Sequence, residues 1–247
     1  MRTLFALLIA GACCAMGWAD TSYQTSARVT GSRGPIVATH LIKGSRMATL
    51  AKDHTTVIDV DKDVIVEIDM VKKQYSLIPF AQMKQALDEA VAKAPKPAFK
   101  VSSKATGQTK RVGVLKAKEM VLSIIGADSG AEGIEISVDS WTASVPGYQD
   151  VKEFQRKLGE KLGYAFGSGL WEIARTESGR LPEFAELVQE LNQVEGAPVQ
   201  SVIKMGGGAA EITLEIAGFS SGPTDAAKFE VPAGFKKVDP VLPFAGR

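Results

Sequence analysis

The sequence predicts an α+β fold built on a large antiparallel sheet. Three observations predict it: several segments place apolar residues at every second position, three others carry apolar stripes at helical spacing, and the two kinds do not alternate as βα units. Ile36-Val37-Ala38-Thr39-His40-Leu41-Ile42 and Thr56-Val57-Ile58-Asp59-Val60 are rich in β-branched residues and bounded by turn residues, so both read as strands. Val64, Val66, Ile68 and Met70 alternate with Glu67 and Asp69 in a third. Ile134, Ile136 and Val138 against Glu135, Ser137 and Asp139, and Ile212, Leu214 and Ile216 against Glu211, Thr213 and Glu215, give one buried and one wet face each, as antiparallel sheets do. Gly44-Ser45 and Asp61-Lys62-Asp63 read as tight turns, the second because short acidic side chains bond neighbouring backbone amides.

The helical stripes follow. Phe80, Met83, Leu87, Ala90, Val91 and Ala94 fall on one helix face, which Pro95-Lys96-Pro97 ends. Val151, Phe154, Leu158 and Leu162 form a second stripe, with Asp150 as its cap and Glu153 three residues on in a capping-box arrangement. Leu181, Phe184, Leu187, Val188, Leu191 and Val194 form a third; Pro182 fits its first turn and Gly196 its end.

With 247 residues, 45% of them hydrophobic and 23% charged, the chain has the composition of a globular protein and can bury its own core. Arg2, the apolar run Leu4-Phe5-Ala6-Leu7-Leu8-Ile9-Ala10 and the small residues ending at Ala19 make residues 1–19 a secretory signal peptide. Cys13 after Ala12 offers lipid attachment as a second fate, so the expected location is periplasmic or secreted, with anchoring through Cys13 as the alternative. Both cysteines leave with a leader cleaved after Ala19, which rules out a structural disulfide in what remains. Loss of Arg2 from Lys+Arg 29 leaves the charges balanced against Asp+Glu 28. Overall neutrality argues against nucleic acid, and against anionic lipid surfaces, as partners. No repeat or low-complexity stretch divides the rest, so 20–239 reads as a single domain with 240–247 as a tail.

Residues that carry chemistry are scarce. Asp59, Asp61 and Asp63 match the first oxygen positions of a calcium loop, but Val64 stands where the sharp turn needs Gly and Met70 where a bidentate Glu belongs, so a hairpin turn is the better reading. His40 and His54 are the only histidines, and structural or solvent-facing roles suit them better than a metal site. Gly167-Ser168-Gly169 has Phe166 in place of the first glycine of a nucleophile elbow, and Gly206-Gly207-Gly208 lies between strands rather than before a helix. No catalytic residue, metal or cofactor is assigned, and the chain is expected not to be an enzyme. Trp141 falls on the polar face of its strand, where a large aromatic side chain either packs or lines a cavity.

Several short segments together resemble the exported bacterial family known as domain of unknown function 4412, whose shape is similar to the periplasmic lipoprotein-carrier half-barrels. They are Lys43-Gly44-Ser45-Arg46-Met47 between two strands, Val57-Ile58-Asp59 before an acidic hairpin, Tyr75 after the next strand, and Phe229-Glu230-Val231-Pro232-Ala233-Gly234-Phe235 near the C-terminus. The resemblance implies a strongly curved antiparallel sheet, a half-barrel, with amphipathic helices packed on its concave face. Carriers of this shape hold acyl chains between sheet and helices. Lys116-Ala117-Lys118 in the middle sheet and the helical insert from Tyr148 to Glu195 bear on whether such a cavity exists here.

The function expected on these grounds is binding of an apolar small molecule or acyl chain in the envelope, without chemistry. The alternative is a structural module that contacts an envelope protein. The ligand-binding residues assigned are Phe154, Leu158, Phe184, Leu187 and Leu191 beneath the helices, with Trp141 near the rim. Metal and disulfide staples contribute measurable stability where they exist, so thermal melts should be the same with and without EDTA or reductant. A lower melting temperature in EDTA restores the calcium reading of Asp59, Asp61 and Asp63.

Overall fold

A run of β-branched and alternating residues closed by short turns folds as a meander, because each turn returns the chain to pair with the strand just made. The computed structural model describes residues 20–93, 99–126, 136–163, 195–205 and 210–242. The leader with Cys13 and Cys14, Pro95-Lys96-Pro97, Ile134, Gly167-Ser168-Gly169, the third helical stripe with Phe184, Leu187 and Leu191, and Gly206-Gly207-Gly208 lie outside the described residues.

The first meander is β1 (Thr21–Val29), β2 (Ile36–Lys43), β3 (Arg46–Leu50), β4 (His54–Asp59), β5 (Val64–Asp69) and β6 (Gln74–Pro79). Helix α1 (Phe80–Lys93) follows directly. A second meander consists of β7 (Phe99–Val112), β8 (Leu115–Gly126), β9 (Ile136–Ala143), β10 (Ala197–Met205) and β11 (Ala210–Ser221), with helix α2 (Tyr148–Leu162) between β9 and β10. A 3₁₀ turn at Ala226–Phe229 and the short β12 (Lys236–Lys237) end the described chain. The strands form one sheet of twelve in the order β12-β6-β5-β4-β3-β2-β1-β11-β10-β9-β8-β7. All neighbours are antiparallel except β12, which runs parallel to β6. β12 and β7 stand at opposite ends, so the sheet is open: the fold is α+β, a half-barrel rather than a closed barrel.

The acidic turns do what their residue types suggest. The Asp59 carboxylate accepts from the Lys62 amide at 3.0 Å, and Asp69 accepts from the amides of Val71 and Lys72 at 3.0 and 2.7 Å. Asp63 and Lys73, the last residues of the two loops, adopt the left-handed conformation that turns the chain into the next strand. The three acids of the candidate calcium loop point to separate partners: Asp59 to Lys62 Nζ at 3.2 Å, Asp61 to the Ser45 hydroxyl, and Asp63 to Lys161 Nζ at 2.9 Å.

Helix α2 begins earlier than its sequence signature indicates. The cap is Gly147, in the left-handed conformation, and Asp150 sits inside the first turn. A Cβ on Gly147 would meet Ser221 Oγ and Thr21 Oγ1 at 3.2 Å, so both the φ and the close approach to the sheet call for glycine. Asp150 is thereby freed from capping and accepts a hydrogen bond from Thr21 Oγ1 at 2.6 Å, tying the helix to β1. Gly196 lies in a bend just before β10, where a Cβ would stand 2.8 Å from the Ala143 carbonyl oxygen. Lys116-Ala117-Lys118 is on β8, next to the sheet end rather than in its middle, because the second meander builds inward from β7 toward β11.

Apolar residues leave both faces of the first meander covered. Ile58, opposite Met47 and Ile65, joins a core with Tyr23, Ile42 and Ile78 that α1 covers through Phe80, Met83 and Leu87, and α2 through Tyr148, Val151, Phe154, Leu158 and Leu162. Each of these large side chains, fully buried, contributes roughly 1.5–3 kcal/mol. On the opposite face Val57, opposite Ala48 and Val66, meets Ile68 beneath Phe229, with Val231 and Phe235 against them. Ile212, Leu214 and Ile216 are buried while Glu211 and Glu215 are exposed and Thr213 is half-buried, the register that the alternation predicts. Leu214→Asp should therefore destabilise the domain by several kcal/mol, since it buries an unpaired charge. Thr213→Glu on the opposite face should leave the thermal melt close to wild type.

Candidate functional site

The face covered by the helices combines an apolar floor with one polar aromatic cluster. Alternation along β1 turns Thr21, Tyr23 and Thr25 to this side, and all three are buried. Tyr23 pairs with His40 across β2, and their rings stack at 4.6 Å between centroids with 14° between planes. Phe219 stacks on Tyr23 at 5.3 Å, and Tyr148 from α2 meets the Phe219 ring edge-on at 6.1 Å. Such aromatic pairs are worth about 0.5–1.5 kcal/mol beyond their burial.

His40 is held between two hydroxyls. Its Nε2 lies 2.8 Å from Thr25 Oγ1 and its Nδ1 lies 3.1 Å from Thr49 Oγ1. A neutral imidazole has one donor and one acceptor nitrogen, and a threonine hydroxyl serves either, so the neutral ring is satisfied in both tautomers. Burial pushes the imidazole pKa down to about 4. Burial, and then the neighbouring Tyr23, push the Tyr148 hydroxyl up, so it stays protonated. His54 lies elsewhere, against the Glu67 carboxylate, which also accepts from Thr56 Oγ1 at 3.0 Å. Among the described residues, no group of three or more His, Cys, Asp or Glu side chains stands where it could hold a metal ion.

Of the residues assigned from sequence, Phe154, Leu158 and Trp141 are buried and belong to one continuous apolar cluster. Phe154 and Leu158 cover the sheet from α2. Trp141, 9% exposed, is opposite Glu119 on β8 and Gln200 on β10, and therefore lies on the polar side of its strand. Lys110 Nζ caps its ring at 4.0 Å from the centroid and donates to Gln200 Oε1 at 2.6 Å. Gln200 Nε2 in turn donates to Glu215 Oε1 at 2.9 Å. The apolar cluster and the cation over the ring together bury this tryptophan among polar cross-strand neighbours. Phe184, Leu187 and Leu191 lie outside the described residues.

The Tyr23–His40–Phe219–Tyr148 cluster was not visible in the sequence. Thr21, Tyr23 and Thr25 do carry the every-second-residue signal, with hydroxyl side chains in place of aliphatic ones. Nothing in the sequence ties Tyr23 to Phe219, which only the pairing of β1 with β11 brings together. A second contact also joins distant segments. The Arg46 guanidinium lies over the Phe229 ring at 5.1 Å, donates to the Phe229 carbonyl and pairs with Glu230 at 3.0 Å, while Asp59 Oδ2 lies 3.6 Å from its Nε. Arg46 and Phe229 come from two of the segments that carry the family resemblance.

Comparison with known proteins adds only distant likenesses in shape. No protein-family model matches the chain, and no curated protein matches it. The resemblance to domain of unknown function 4412 therefore rests on the short segments quoted above alone. Among solved structures the chain is similar to PNGF-II, with a TM-score of 0.36 and 8% identity over 90% of this chain and 31% of the other, so it spans about a third of that protein. It is also similar to a Vibrio parahaemolyticus domain named for outer membrane lipoprotein sorting, with a TM-score of 0.31 and 6% identity over 86% of this chain and 90% of that one. Among the described residues no helix is long and apolar enough to cross a membrane.

The placement of His40 makes a pH dependence. The folded protein keeps the ring neutral down to about pH 4, whereas the unfolded chain binds a proton below about pH 6.5. The unfolded state thus holds more protons between these values, and stability is full above about pH 6.5 and falls as the pH is lowered toward 4. The shift corresponds to about 3 kcal/mol. Denaturant melts across this window should show the loss in the wild type and a flatter profile in His40→Gln.

Proposed function

We propose that this protein is a non-catalytic envelope protein that binds an apolar ligand, an acyl chain, between its sheet and its helices. The observation that carries the reading is the placement of α2, which lays Tyr148, Val151, Phe154, Leu158 and Leu162 along one face of an open sheet. An open sheet can let its helices separate from it without breaking strand pairs, and an apolar surface exposed in that way suits a hydrocarbon ligand. The His40 cluster supports the same reading: a neutral imidazole and the protonated Tyr148 hydroxyl add no fixed charge to the apolar face. Export through the leader would place the protein in the periplasm or outside the cell.

The second reading, a structural module that contacts an envelope protein, is favoured by how completely Phe154, Leu158 and Leu162 are already buried. Titration with a fluorescent fatty-acid probe separates the two. Saturable binding is expected, with a gain of roughly 0.8 kcal/mol for each methylene added to the chain. Leu187→Trp is expected to weaken it while leaving the melting temperature within a few degrees of wild type. Binding unchanged in that variant moves the site away from Leu187, and no binding by the wild type selects the interaction module.

A further inference from the structure

The stretch from Ser102 to Lys118 holds five cations, Lys104, Lys110, Arg111, Lys116 and Lys118, and no acidic residue. The formal net charge of the whole chain is only +1, so overall neutrality averages away a strongly basic ribbon. β7 and β8 place that ribbon at the end of the sheet. Val112 pairs with Leu115 around a Gly113-Val114 turn in which Gly113 has φ +56°, and Val114 is 89% exposed. A glycine at the first turn position makes a tight hairpin, so the valine stands at the extreme tip.

The strand register gathers like charges. Arg111 is directly opposite Lys116, and Lys118 follows two residues along on the same face, opposite Thr109. All three are exposed, and none forms an ion pair with another described residue. Like charges facing each other across strands are unfavourable, and an anionic counter-surface removes that cost. Behind the tip Val112 and Leu115 are half-buried, so an apolar point is ringed by cations on both strands. Addition of a partner strand suits this edge poorly: the pairing of β7 with β8 shifts between Ala105 and Thr109, Gly107 has φ +79°, and Lys104 and Arg111 project from it. Bulges and cations of this kind block edge pairing.

We propose that the β7–β8 hairpin docks tip-first on an anionic lipid bilayer. Val114 enters the boundary between headgroups and acyl chains, and Arg111, Lys116 and Lys118 lie among the phosphates. A bilayer presents an anionic layer above an apolar one, the order in which the ribbon presents its cations and its valine.

Co-sedimentation of the full chain with vesicles tests this, using phosphatidylcholine alone and phosphatidylcholine mixed with phosphatidylglycerol. Binding should be stronger to the phosphatidylglycerol vesicles and should fall as salt is added. Arg111→Gln, Lys116→Gln and Lys118→Gln should each weaken it roughly fivefold. Val114→Ser should weaken it several-fold while keeping the salt dependence, and the pair Lys236→Gln and Lys237→Gln at the other end of the sheet should change nothing. All these positions are exposed, and thermal melts of each variant verify the fold. Equal binding to both vesicles, or binding unchanged in a variant that combines Arg111→Gln, Lys116→Gln and Lys118→Gln, overturns the proposal. So does binding to polyglutamate as tight as to phosphatidylglycerol vesicles with no effect of Val114→Ser, which assigns the ribbon to an acidic protein.

Discussion

The antiparallel pairing of β1 with β11 is the joint on which the rest of the molecule depends. Thr21 lies opposite Ser221 and Val29 opposite Ile212, so the first and nearly the last strands of the chain meet at the middle of the sheet. Without that pairing there are two separate meanders, each with a raw edge where the other now lies. Closing so long a loop costs entropy that grows only slowly with length, and the ladder together with the Tyr23–Phe219 stack offsets it. The same joint sets α2 in place: Thr21 holds Asp150, and Thr21 with Ser221 crowds the Gly147 cap.

From that joint the two halves of the sheet differ in how their faces are covered. On the β1–β6 side, helices cover one face and the chain's C-terminal segment the other, so β4 is buried on both sides. Arg46 fastens the C-terminal cover by stacking on Phe229 and bonding its carbonyl, with Asp59 beneath to balance the charge. At the far end the sheet finishes in a hairpin whose outer strand, β7, is exposed along most of its described length, and the polarity of the surface changes with it. The protein thus joins an apolar, uncharged interior face near α2 to a basic ribbon at β7 and β8.

The inner face keeps its one histidine uncharged for a physical reason. His40, the one buried group that titrates near neutral pH when free, is pinned between two hydroxyls and kept neutral by burial. It fills space, stacks on Tyr23 and satisfies Thr25 and Thr49, and the energetic consequence is felt in acid. Trp141 shows the complementary case: an aromatic ring that joins the apolar cluster from a position opposite Glu119 and Gln200 is capped by one long lysine side chain that keeps its charge in contact with Gln200.

Strands with one apolar and one polar face were legible because burial imposes a period of two on their residues, as at Ile212, Leu214 and Ile216. The α1 and α2 stripes were legible for the corresponding reason at helical spacing, and the Asp59 and Asp69 turns because each acid bonds its own local backbone. β7 was not legible, since a strand exposed along most of its length at the end of a sheet has no buried side to impose a pattern. β1 was missed because Thr21, Tyr23 and Thr25 alternate in hydroxyl-bearing rather than aliphatic side chains. The start of α2 was misplaced because Asp150 looks like a cap locally, while contact of Gly147 with Thr21 and Ser221 decides where the helix begins. By itself, then, the sequence determined the α+β class, the α1 and α2 stripes, the acidic turns and the buried side of strands such as β9 and β11, all of which are local consequences of hydrophobic period and turn chemistry. Only the tertiary structure decided that β1 lies beside β11, that Arg46 meets Phe229 and that the cations of β7 and β8 share a face, because those depend on register between segments whose individual signals carry no record of their partner.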